Sequence, residues 1–110
     1  MSENGAYRRA EGLLRDGELA DAIGAFLDAL DQDPEHLDSY FGLMRAYETT
    51  YEVLPDPELL HQVTNVLRGL RDRELTEEQA ASADAAERRV AARLEEAGHP
   101  APAPGRTPPS

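Results

Sequence analysis

Two helix stops, Gly17 and the Asp33-Pro34 pair, bracket the stretch GELADAIGAFLDALDQDP, and what lies between them constrains the fold more than any other segment. Its apolar residues fall at Leu19, Ala22, Ile23, Phe26, Ala29 and Leu30, the three-four spacing of a helix with one buried face. Small residues (Ala22, Ala29) share that face with large ones (Ile23, Phe26), as in a helix that packs closely on a neighbour. The acids Asp21, Asp28 and Asp31 stay off the stripe.

On either side the same logic repeats. A first helix is predicted over 3–15, capped by Ser2 or Asn4, with Ala6, Ala10 and Leu13 in one stripe and Tyr7 and Leu14 beside it. Glu11 and Arg15 form a favourable i,i+4 pair. Gly17 supplies the left-handed backbone that ends this helix, so the first two helices are antiparallel neighbours joined by a short link. Pro34 blocks continuation. A third helix over 35–50 carries Leu37, Tyr40, Phe41, Leu43, Met44 and Tyr47, with Gly42 inside it at a cost of about 1 kcal/mol in propensity, best explained by close packing. Residues 49–54 have no helical period and read as a loop or frayed end. Asp56 as cap, Pro57 in the first turn and Glu58 near the positive end of the dipole start a fourth helix. Leu59, Leu60, Val63, Val66, Leu67 and Leu70 form its stripe. Thr76 and Gln79 make a capping-box pattern for a fifth helix over 77–97, where Ala83, Ala86, Val90, Leu94 and Ala97 form a thin seam. A helix this polar elsewhere is a cap, or one side of a self-association contact. From Gly98 onward five of thirteen residues are proline, a tail expected to be disordered or polyproline-like. The reading is therefore all-α: five helices in antiparallel hairpins over 1–97, then a Pro-rich tail over 98–110.

Charge narrows the partners. The chain has a net charge of −11, and residues 1–60 hold fourteen acids against four arginines. Such a field disfavours nucleic acid and anionic membranes. It favours a basic partner, or simply keeps the protein soluble. All eleven basic residues are arginine, so no Schiff-base or general-base lysine exists. With Ala, Gly and Pro, this arginine bias is that of a GC-rich bacterial genome. Cysteine is absent, which removes disulfides, thiolate metal sites and a cysteine nucleophile. Nothing near the start reads as a signal peptide and no apolar run spans a bilayer; the expected location is cytoplasmic.

Residues 17–34 resemble the second half of a tetratricopeptide repeat, carried by Ala22, Phe26, Ala29 and Pro34. At the same spacing Ala10 and Leu13 fall on the first helix of the repeat, and Tyr40, Leu43 and Tyr47 on the first helix of the next. Arg9 stands where an apolar residue is expected and Met44 where a small one is, so the match covers about residues 4–47. Leu43-Met44-Arg45-Ala46 is also similar to the tetratricopeptide-like domain of bacterial transcriptional activators, without a DNA-binding segment; an accessory regulator is the corresponding reading. The resemblance implies a concave groove lined by the first helices of the repeats, here Asn4, Tyr7, Glu11 and Arg15, then Asp38, Phe41, Arg45 and Glu48. Tyr7 and Phe41 would anchor a peptide or partner helix and the acids would select a basic one. Alternatively these aromatics pack under the fifth helix or are spent in a homodimer.

Chemical machinery is not evident. His36, His61 and His99 are far apart, and Glu58 with His61 at i,i+3 reads as a surface pair more readily than a metal site. Asp31 to Glu35 superficially resembles a calcium loop, but His36 replaces its glycine and Gly42 its bidentate glutamate. No phosphate-binding glycine loop and no acid pair with a defined cleft are present. The chain is expected to be a non-enzymatic protein-binding module without cofactor.

Overall fold

The computed structural model describes residues 4–98, and within them the chain is all-α, with no strand. Five helices follow in order: α1 Gly5–Arg15, α2 Leu19–Gln32, α3 Leu37–Val53, α4 Pro57–Arg71 and α5 Glu77–Glu96. Each packs chiefly on its neighbours in sequence, and α1 also touches α3. Ser2, Glu3, His99 and nearly all of the proline-rich tail lie outside the described residues.

Local chemistry sets the boundaries. Asn4 caps α1, its Oδ1 accepting from the Tyr7 amide at 3.1 Å. At the other end Gly17 adopts φ 82°, and the amides of Gly17 and Glu18 donate to Leu14 and Leu13 at 3.1 and 2.9 Å. This pair of bonds is the glycine C-terminal motif that satisfies otherwise orphaned carbonyls. Asp56 caps α4 through Glu58 N at 3.0 Å, with Pro57 in the first turn. Thr76 and Gln79 exchange both capping-box bonds at 2.9 and 3.1 Å. The seam of α5 is buried at Ala83, Ala86, Val90 and Leu94, but Ala97 falls past the helix end and is exposed.

One expected loop is helix. Residues 49–53 continue α3, and only Leu54–Asp56 connect it to α4. Tertiary contacts override the weak propensity of this β-branched stretch. Tyr51 packs against the core beneath α5 and Glu52 meets Arg93, while within the helix Thr50 Oγ1 donates back to Ala46 O at 2.7 Å.

Two cores share α3. The first joins α1, α2 and α3 through Ala10, Ala22, Ala25, Phe26, Leu43 and Ala46. The second joins α3, α4 and α5 through Tyr40, Met44, Leu60, Val63, Leu67, Leu70 and the α5 seam. Met44, bulky where a repeat pattern would have a small residue, is buried in this second core. Arg9, where an apolar residue was expected, is exposed and reaches Asp28 on α2 at 3.5 Å. Gly42 has the packing role anticipated for it: a Cβ there would overlap the Phe26 ring at Cε1 and Cζ. That close approach brings α2 and α3 together.

Candidate functional site

Seven of the eight residues expected to line a groove separate into two groups, and the eighth, Arg15, stands apart at the end of α1. Tyr7, Glu11, Asp38 and Arg45 share one side of the molecule. Tyr7 is half-buried between the Phe26 ring, 6.0 Å away centroid to centroid, and the His36 ring at 4.7 Å. Its hydroxyl donates to Glu11 Oε2 at 2.8 Å. This bond replaces the expected Glu11–Arg15 pair, because Tyr7 also stands one turn from Glu11 and offers a donor that burial favours. His36 holds its own ring by the 2.8 Å contact between Nδ1 and the buried Ser39 Oγ. Glu11, Asp38 and Arg45 are exposed, and Arg15 is exposed at the end of α1.

The electrostatics of Tyr7 report on this grouping. Burial, the hydrogen bond to Glu11 and the charges of Glu11 and Asp38 together push its phenol up from 10.0 to about 12, with Arg45 opposing them. Three charged side chains, Glu11 from α1 and Asp38 and Arg45 from α3, therefore act on one phenol. Burial also pushes Tyr47 up. An alkaline titration followed at 295 nm is expected to show a tyrosine ionising near 12, and Tyr7→Phe removes that component. The sign of the linkage follows. The folded state holds this proton more tightly, so the contribution to stability is intact below about pH 10 and is lost as pH rises toward 12. Far-UV circular dichroism over the same range checks that the chain is still folded. If Tyr7 ionises near 10 instead, the acidic enclosure around it is wrong.

The second group is spent on structure. Asn4 uses both ends of its amide, accepting from Tyr7 N and donating from Nδ2 to Ala29 O at 3.0 Å. Phe41 is partly buried against the second core, within its own chain. Glu48 is gripped by Arg89 of α5, whose Nε and Nη2 donate to its two oxygens at 2.9 and 3.1 Å. The hydrogen bond to Glu48 raises the Arg89 guanidinium further above its usual range. One turn on, Arg93 Nη2 lies 3.5 Å from Glu52 Oε2 and its guanidinium sits 5.3 Å from the Tyr51 ring centroid. Arg71 of α4 similarly holds Asp84 and Glu87 of α5 at 2.8 and 3.2 Å.

The Arg89 and Arg93 contacts were not anticipated from the sequence, although a signal was present. Arg89 and Arg93 stand four apart, as do Glu48 and Glu52, and both pairs close over the same separation in sequence. Helical periodicity makes each pair one row. It does not say which rows meet.

Elsewhere, a shallow open depression between α1 and α2 is lined by Arg9, Leu13, Asp21, Gly24 and Asp28, on the flank of α1 turned away from Tyr7. Glu58 accepts from Gln62 at 3.3 Å. Among the described residues no three His, Asp or Glu side chains gather as a metal-binding group. Nor is any helix among them long and apolar enough to cross a membrane. Comparison with protein-family models, with curated proteins and with solved structures finds no match to this chain.

Proposed function

We propose that the chain is a non-enzymatic interaction module, tetratricopeptide-like in its first hairpin, that binds a basic peptide or partner helix along α1 and α3. The observation that supports this reading is the set Tyr7, Glu11, Asp38 and Arg45. It offers a half-buried aromatic ring under carboxylates from two helices, and Glu11 and Asp38 are not consumed by ion pairs among the described residues. A cation brought beside that ring gains from both carboxylates. The alternative of a homodimer built on Phe41 loses its main support, because Phe41 is packed within its own chain.

The test uses peptides selected from a random display library against the chain. Arginine- or lysine-containing ligands are expected, with affinity falling as salt rises. Glu11→Arg with Asp38→Arg is expected to weaken binding by about tenfold, the scale of two partly screened charge contacts. The same reversal at Asp21 and Asp31, exposed on α2, controls for net charge and should do far less. Ligands that ignore both pairs, or respond equally to both, would remove the proposal.

A further inference from the structure

We infer that α5 is an internal occupant of the acidic row on α3, and that a partner helix bearing two arginines four residues apart over a small apolar seam binds by taking its place. The inference rests on the reading of α3 as a binding helix and specifies which ligand chemistry its C-terminal half accepts. Asp38, Phe41, Arg45, Glu48 and Glu52 follow the three-four spacing of a single row along α3. Its last two members are already engaged by Arg89 and Arg93 of α5. The structure thus displays a helix that sets two arginines one turn apart against the end of this row, with one arginine also over the Tyr51 ring.

Three features make that occupant exchangeable. The ion pairs lie at the surface: Arg89 is 52% exposed above a more enclosed Glu48 at 14%, and Arg93 and Glu52 are 30% and 61% exposed. A single-contact exposed pair such as Arg93–Glu52 contributes little to stability, and the Arg89 side of the other pair is accessible to a competitor. The apolar hold of α5 is thin, since two of its four buried seam residues, Ala83 and Ala86, are alanines. And α5 stands last in the order of helices, packing mainly on α4, so its release leaves the contacts among α1, α2 and α3 in place. The five residues Asp72–Thr76 tether it beside the row at high effective concentration. A free helix therefore competes with α5 for the same carboxylates, and loosening α5 raises the affinity for it.

The probe is a labelled synthetic peptide of residues 77–97, measured by fluorescence anisotropy against the full chain. The chain carrying Arg89→Glu and Arg93→Glu is expected to bind it about tenfold more tightly than the unaltered chain, because its own α5 competes less well. Adding Glu48→Gln and Glu52→Gln should abolish that gain. Hydrogen exchange on the unaltered chain gives a second readout that needs no variant to fold. Amides of α5 are expected to exchange through an opening that leaves α2 and α3 protected. Equal peptide affinities in the two chains, or α5 amides that exchange only together with those of α3, would overturn the inference. If display-selected peptides still depended on Glu11 and Asp38 while α5 stayed as protected as α3, the inference would fall and the binding proposal would stand.

Discussion

Phe26→Ala is expected to remove about 3–5 kcal/mol of stability, the usual cost of deleting a fully buried ring. Phe26 has no exposed surface, supports Tyr7 on one side at 6.0 Å and fills the space above Gly42 on the other. Its neighbours in the first core are mostly alanines, Ala10, Ala22, Ala25 and Ala46. Short side chains cannot reach into the vacated volume, so the site collapses poorly. Domains of this size are stable by roughly 5–15 kcal/mol, so a large part of the total is lost and the unfolding midpoint falls steeply. Urea denaturation followed by circular dichroism measures it. A loss under about 1 kcal/mol would mean that the first core does not depend on this ring.

Gly42→Ala tests the same contact from the other side, and here the sign decides. In an open helix the substitution would stabilise by about 1 kcal/mol through propensity alone. At position 42 the added methyl group runs into the Phe26 ring edge, and overpacking of this kind costs about 1–3 kcal/mol. Neither the ring nor α3 can yield freely, because Leu43 and Met44 beside Gly42 are buried in different cores. A net loss is therefore expected. Replacing Phe26 by Leu in the same chain should recover part of it, with a coupling of about 0.5–3 kcal/mol in the double-mutant cycle. A gain in stability on Gly42→Ala alone would show that α2 and α3 stand further apart than described.

The sequence made plain whatever depends on residues close together in it. Gly17, Asp56 and the Thr76–Gln79 pair act within one turn of themselves, so the ends of α1, α4 and α5 could be read within a residue or two. The apolar stripe of α2 and the need for Gly42 were equally legible, since close packing was the only good reason for a glycine there. Residues 49–53 lack a helical period of their own, and the contacts that hold them come from the second core and from Arg93, some forty positions away. The candidate site divides along the same line. Tyr7 and Glu11 are one turn apart on a helix, and their proximity was implicit in the spacing. Phe41 and Glu48 were expected on an open groove, but the second core takes up Phe41 and Arg89 grips Glu48. No local pattern in α3 announces that.

The order in which the cores close has a kinetic consequence. Every buried member of the first core lies at or before Ala46, and helices that are neighbours in sequence are neighbours in space. Contact order is correspondingly low, and helical chains of this kind fold in microseconds to milliseconds. During synthesis α1, α2 and the first half of α3 can therefore collapse around Phe26 before α4 has left the ribosome. The still unpaired side of α3, with Tyr40 and Met44, would then be the template on which the rest of the chain condenses.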